Sequence, residues 1–380
     1  MNSSERAMLR LAQPAPLFRN AELAGADIVE LKEAAVRCNL FMLIYGRLLS
    51  YEGDRDREKV TAFLDYNREL YMLGVARAMR MEAAEKEVLR LLSSEGLDAV
   101  VIKGNALARE VYGDPNCRVS ADIDILIRER DSGRAAAVMA GSGYVADQAQ
   151  PVEFLLQRLH HMVFHHAERR VTVELHWSFG IPGFFALSTD DIWKGVVFRQ
   201  GRPCGLTPEI TLIMLLMHHY MHFFRDLWVL VDIVHVLHRY KGLMDPASLA
   251  KELRRIGLVK TTLLSLKQVD DLWGNPELSA GYIADLRSDL KGTGPEPAAW
   301  LQRHFRMDIS GKGHDSNLMD RVAARFALDS RAAILGAFTK TIFPPPRVVR
   351  DYYGDQRRWV LPYNYMKFMS LRMRDWAGRG

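Results

Sequence analysis

The sequence predicts an α+β fold: a small mixed β-sheet flanked by an N-terminal helical segment and a large C-terminal all-helical region. Two changes of hydrophobic period carry this prediction. Up to about residue 97, Leu, Met and Ala recur at three-and-four spacing. Between Leu97 and Leu206 short apolar–polar alternations replace that pattern, and after Thr207-Pro208 the helical period returns. Length is the third observation, since 380 residues at 48% hydrophobic content suffice for one large or two ordinary domains with real cores. The predicted units are a helical cap over residues 1–96, an α/β unit over 97–206 and a helical domain over 207–380.

In order along the chain, residues 21–97 read mainly as helix, with few breakers apart from Tyr51-Glu-Gly53-Asp. Residues 57–94 fit either one long helix or two, packed as a cap against the sheet. Strands are predicted at 99–103, 121–127, 162–166, 171–177 and 196–198, with helices beginning near Asn105 and Arg130. Gly141-Ser-Gly143-Tyr144 marks the end of the second of these helices. Thr207 and Pro208 are a good N-cap and first helical residue, and the pattern stays helical through Tyr240 and again over 246–273. Breakers over 274–297 indicate a linker, and 298–374 alternates helical stretches with Phe343-Pro-Pro-Pro346. No internal repeat is present.

The chemistry concentrates in Val-Ile-Lys103-Gly104-Asn105, followed eighteen residues after the glycine by Ala-Asp122-Ile-Asp124-Ile-Leu-Ile. An apolar run ending in glycine reads as a strand entering a tight turn, and residues 106–112 can form a short helix whose N-terminus faces a ligand. In a strand, Asp122 and Asp124 project to one face while Ile123, Ile125 and Ile127 enter the core. Two adjacent carboxylates repel unless a cation lies between them, and Mg²⁺ prefers such oxygens. A third carboxylate is offered by Val171-Thr-Val-Glu174-Leu-His176-Trp177, where Thr172, Glu174 and His176 share the face opposite Val171, Val173 and Leu175. Lys103 reads either as a strand-end residue or as a cation serving a phosphate-binding turn.

A glycine turn, an Asp-x-Asp strand and a later apolar-Glu-apolar strand resemble the pattern of the nucleotidyltransferase superfamily that includes DNA polymerase β and the aminoglycoside nucleotidyltransferases. With Arg118, Glu174-Leu-His176-Trp177 and a helix carrying His218 and His219, the chain is similar to one family in particular. That family comprises the largely uncharacterised bacterial nucleotidyltransferases with an all-helical C-terminal half. The resemblance covers residues 95–240, and extends to Phe343-Pro-Pro and the aromatic-basic segment after it. The chain departs from the superfamily at Gly104-Asn105, where Gly-Ser or Gly-Gly is usual; an asparagine amide can still donate to phosphate.

The resemblance implies transfer of a nucleoside monophosphate, AMP favoured, from an NTP to a hydroxyl-bearing acceptor with release of pyrophosphate. ATP is the favoured donor, and the acceptor is a small molecule or a peptide; nucleic acid fits less well. It also implies two Mg²⁺ ions, with Mn²⁺ as an alternative, held by Asp122, Asp124 and Glu174. Glu174 would complete the second metal site or act as general base. Lys103, Gly104, Asn105 and Arg118 would bind the nucleotide, Arg118 clamping the triphosphate with its planar fork.

The histidines offer a competing reading. His160, His161, His165 and His166 flank a predicted strand, and His218, His222 and Asp226 share one face of a predicted helix, as in a transition-metal hydrolase. No His-Glu-x-x-His sequence accompanies them. In the other reading, His176, His218, His219, Arg225 and Asp232 line the cleft where the helical half covers it, or form a structural network there. A third reading is a nucleotide- or partner-binding module without turnover. Over residues 347–374, Tyr352, Tyr353, Trp359, Tyr363, Tyr365 and Phe368 interleave with arginines and Lys367. Aromatic helices closing a bundle, or a nucleic-acid or membrane-surface contact, both account for this pattern.

A net charge of +5 and a pI near 9.0 suit polyanionic substrates without demanding nucleic acid. Cys38, Cys117 and Cys204 are odd in number and widely spaced, which argues against a disulfide framework or a zinc ribbon. No apolar stretch has the ~20 residues of a membrane span, and none early in the chain is of signal-peptide type. The expectation is a soluble cytoplasmic protein.

Overall fold

The computed structural model describes residues 1–14, 23, 25–51, 56–118, 120–147, 150–274, 281–291, 295–307, 309, 318–342, 349–350, 362–367 and 370. Phe343-Pro-Pro-Pro346, Tyr352, Tyr353, Trp359 and Phe368 lie outside them. The fold is α+β. Helices α1 (Ser3–Leu11), α2 (Ile28–Arg37), α3 (Phe41–Leu49) and α4 (Arg57–Ser94) precede a five-stranded sheet. Its strands are β1 (Ala99–Val101), β2 (Ile123–Ile127), β3 (Val145–Ala146), β4 (His161–His166) and β5 (Val171–His176), with α5 (Gly104–Val111), α6 (Ser132–Gly141) and α7 (Val152–Leu156) between them.

After α8 (Thr189–Lys194), a separate hairpin, β6 (Val196–Arg199) and β7 (Arg202–Leu206), leads into the helical half. That half contains α9 (Pro208–Met221), α10 (Leu227–Arg239), α11 (Pro246–Ile256), α12 (Val259–Trp273), α13 (Tyr282–Lys291), α14 (Ala299–His304), α15 (Leu318–Phe326) and α16 (Arg331–Ile342).

The sheet order is β1-β2-β5-β4-β3, with β2 and β5 parallel and the other pairs antiparallel. Register places Asp124 opposite Glu174 across β2 and β5, and His161 opposite His176 across β4 and β5. Since residues paired across strands share a face, one side of the sheet carries Asp124, Glu174, His176 and His161. The other side buries Ile123, Ile125, Val173, Leu175 and Met162 against α4 and α6.

Residues 57–94 form one continuous helix of 38 residues. At 1.5 Å per residue α4 spans about 57 Å, and it serves two cores. Val60 and Phe63 near its start pack with α1–α3 and with Leu227, Leu230, Val231 and Val234 of α10. Met81, Ala84, Val88 and Leu92 near its end cover the sheet. The first three helices therefore rest on the helical half, and it is the C-terminal part of α4 that caps the sheet.

Helix α9 is apolar all round, with Ile210 through Met217 buried without interruption, as befits a helix at the centre of a bundle. The predicted continuous helix through Tyr240 breaks after Met221, because Phe223 and Phe224 adopt left-handed φ values of 54° and 57° and turn the chain into α10. Phe224 is fully buried, so packing offsets the local strain. The predicted helix over 246–273 likewise divides at Gly257, a left-handed cap at φ 81°. β3 and β7 were not legible in advance: β3 has two residues, and Pro203 and Gly205 disguise β7. The strand predicted at 121–127 begins at Ile123, so Asp122 stands just ahead of it. No helix among the described residues is long and apolar enough to cross a membrane.

Candidate active site

The polar face of the sheet floors a cavity of about 400 Å³ roofed by α9 and by the start of α10. Asp122, Asp124, Glu174, His176, Lys103 and Arg118 all line it.

Asp124 is almost wholly buried, and its Oδ1 accepts from Lys103 Nζ at 2.6 Å and from His176 Nε2 at 3.0 Å. Burial alone would raise its pKa, but the Lys103 ammonium and His176 outweigh burial and hold it well below the usual carboxylate range. His176 Nε2 also lies 3.2 Å from Glu174 Oε2, so one imidazole spans both carboxylates. Burial opposes the proton on His176, yet its hydrogen bonds to Asp124 and Glu174 raise its pKa overall. Glu174 is itself lowered, burial being overcome by His176 and His161. Asp122 accepts from Ser120 Oγ at 2.8 Å, and burial together with the charge of Asp124 raises its pKa.

Lys103 ends the strand side of the turn as the residue before α5, and Gly104 follows at φ 61°, a conformation glycine adopts without penalty. Neither Gly104 nor Asn105 is among the described residues lining the cavity. The Asn105 amide, expected to reach phosphate, donates instead to the Ala78 carbonyl at 2.8 Å and ties α5 to α4.

Arg118 lines the cavity with its guanidinium 4.2 Å over the Trp228 ring. Its Nε donates to Asp232 Oδ2 at 2.8 Å, and Tyr112 Oη donates to Asp232 Oδ1 at 2.6 Å. One guanidinium nitrogen, Nη1, is buried with no hydrogen-bond partner among the described residues. Asp232 thus stands behind Arg118 as its anchor and does not line the cavity, contrary to the sequence reading.

Two further expected lining residues are elsewhere. His219 is fully buried with its Nδ1 3.0 Å from Ser265 Oγ, and Arg225 pairs with Asp320 at 2.7 Å. His218 does line the cavity, neutral because burial drives its pKa well down. His218 and His222 keep their rings 4.3 Å apart and His222 pairs with Asp226 at 2.5 Å, but α9 ends before His222 and the three do not group as a metal-ligand set among the described residues. His165 contacts Thr172, and His166 packs edge-on against Tyr144.

Sequence reasoning placed His160 and His161 only in the competing transition-metal reading and gave Trp228 and Asn39 no role, yet all four line the cavity. For His161 the signal is its register opposite His176, which needs the β4–β5 pairing. Asn39 arrives from the α2–α3 turn at φ 56° and has no local signature.

The donor chemistry suits a metal. Asp124, Glu174 and His176 each offer one ligand atom, all within 4.8 Å of one another. Burial and, after it, the charge of Asp124 disfavour the ionised form of Asp122, and a divalent cation at this wall of the cavity would relieve both.

A small mixed sheet thus presents acidic side chains to a cleft, with a glycine turn at the end of its first strand. Residues 26–274 match the family described as uncharacterised nucleotidyltransferase, and the chain belongs to that family. No curated protein and no solved structure matches the chain significantly.

Proposed function

We propose that the protein transfers a nucleoside monophosphate, AMP first among the four, from an NTP to a hydroxyl group of a small molecule or peptide. The observation that carries this reading is the register of Asp124 against Glu174 across two parallel strands, with Asp122 on the same cavity wall. In the reaction the acceptor oxygen attacks the α-phosphorus, the bond to the bridging oxygen breaks and pyrophosphate leaves. The hydroxyl proton passes to Glu174, which its low pKa keeps ionised, or to solvent.

Asp122, Asp124 and Glu174 would hold Mg²⁺, one ion or two, with Mn²⁺ as a substitute. Such an ion supplies charge neutralisation at the phosphates and a lowered pKa at a bound hydroxyl. His176 positions Asp124 and Glu174 relative to each other. Lys103 and Arg118 supply positive charge for the triphosphate, and the free Nη1 of Arg118 is a donor ready for a phosphate oxygen. A cavity of about 400 Å³ suits one small ligand or a side chain.

A second reading, nucleotide binding without transfer, draws on the Lys103–Asp124 pair, which already compensates one carboxylate. The test is titration of each NTP, with and without Mg²⁺, into wild type and Asp122→Ala/Asp124→Ala, with pyrophosphate release followed in parallel against an acceptor panel. Metal-dependent binding and release, both lost in the variant, support transfer. Binding without release for any acceptor supports the second reading, and equal binding by both proteins removes the carboxylates from the nucleotide site.

A further inference from the structure

We propose that His160, His161 and His176 form a second metal site beside the carboxylates, selective for a first-row transition cation of the Zn²⁺ class over Mg²⁺. Each residue offers one ligand atom, and the three atoms lie within 4.8 Å of one another. The strand register brings His161 directly opposite His176 on the polar face. His160 precedes β4, but its carbonyl accepts the backbone N–H groups of Trp177 and Ser178 at 3.0 and 3.3 Å, which holds its ring at the same cavity. The ring centroids are 4.4, 4.9 and 5.7 Å apart.

The second observation is the unmet bonding capacity of these rings. Nδ1 of His160, of His161 and of His176 is buried without a hydrogen-bond partner among the described residues, and the His176 side chain is 5% exposed. Buried polar atoms are ordinarily paired, so each of these rings has a nitrogen left over for a ligand. Imidazole nitrogens favour Zn²⁺, Co²⁺ and Ni²⁺, whereas Mg²⁺ takes oxygen. A tetrahedral ion with bonds near 2.1 Å sets its donors about 3.4 Å apart, so the rings would draw inward by about an ångström. Glu174 Oε2, 3.8 Å from His161 Nε2, is the nearest carboxylate oxygen to His161. Three protein nitrogens leave a fourth position open to the cavity, where an oxygen of acceptor or phosphate can bind.

The site stands independently of the nucleotidyl-transfer reading, and its test uses no nucleotide. The metal-free full-length protein is titrated with Co²⁺ in excess Mg²⁺, the visible d–d spectrum reporting nitrogen ligation and low coordination number. We expect one Co²⁺ per chain, displaced by one Zn²⁺, with affinity reduced roughly a hundredfold in His160→Gln/His161→Gln. His160→Gln alone, outside the strand, gives a smaller reduction and guards against misfolding of the double variant, and circular dichroism checks both. Absence of Co²⁺ binding in excess Mg²⁺, or unchanged affinity in folded variants, overturns the proposal. Mg²⁺-dependent NTP binding, measured on the same variants, reads the carboxylate site separately.

Discussion

Lys103 Nζ lies 2.6 Å from Asp124 Oδ1, with both side chains nearly removed from solvent. The strand-end lysine and the central carboxylate of β2 thus form a buried ion pair at the floor of the cleft. Deleting one partner of such a pair leaves an uncompensated charge, at a cost of about 3–5 kcal/mol. In Lys103→Met the His176 bond persists, so we expect a loss near the lower limit, about 3 kcal/mol in urea unfolding. Added Mg²⁺ should recover part of it if Asp124 binds metal; equal stability with and without Mg²⁺ would count against that role.

Asp232 touches no part of the cavity yet anchors Arg118. Asp232→Asn should loosen the guanidinium and weaken NTP binding about tenfold, equivalent to about 1.4 kcal/mol. Tyr112→Phe, which removes only the hydroxyl that steadies Asp232, should cost about 1 kcal/mol of stability and less affinity. Calorimetric titration of both variants decides whether Arg118 meets the nucleotide; unchanged affinity in Asp232→Asn would show that it does not.

A Cβ at Gly104 would lie 3.6 Å from Ser120 Cβ and 3.7 Å from Glu85 Oε1, ordinary contact distances. The penalty for Gly104→Ala is therefore backbone strain at φ 61°, about 1–2 kcal/mol. Gly104→Asn should lose less, since asparagine tolerates the left-handed region better. Thermal melts of the two variants compare these costs directly.

Glu85, on α4 behind Gly104, has its carboxyl pushed up from 4.5 to about 7, chiefly by burial. Between those values the folded chain keeps a proton that the unfolded chain has lost. Stability from this group therefore falls as pH rises from about 4.5 to about 7 and is level above. Glu85→Gln should flatten that slope and stabilise the protein near neutral to mildly alkaline pH by an amount on the order of 3 kcal/mol. Urea unfolding across the window checks it, and a variant whose slope matches wild type would refute the assignment.

Much of the architecture was legible because helix and strand periods are local. The alternation of Val171, Val173 and Leu175 with Glu174 marked the two faces of β5, and the Thr207-Pro208 pair marked the start of α9. The α9–α10 break was not legible, since Phe223 and Phe224 are poor candidates for left-handed backbone and it is tertiary packing, Phe224 fully buried and Phe223 partly, that holds the turn. Asn105 misled for a similar reason: an amide next to a phosphate-type turn looks available until α4 presents the Ala78 carbonyl.

By itself the sequence determined the α+β class, the glycine turn and which carboxylates can share a sheet face, all consequences of spacings a few residues long. Only the tertiary structure decided who faces whom. Parallel pairing of β2 with β5 sets Asp124 against Glu174, antiparallel pairing of β4 adds His161, and α10 delivers Asp232 to Arg118 from 114 residues away. Those partnerships rest on strand pairing and the packing of distant helices, which the chain encodes collectively and no local pattern displays.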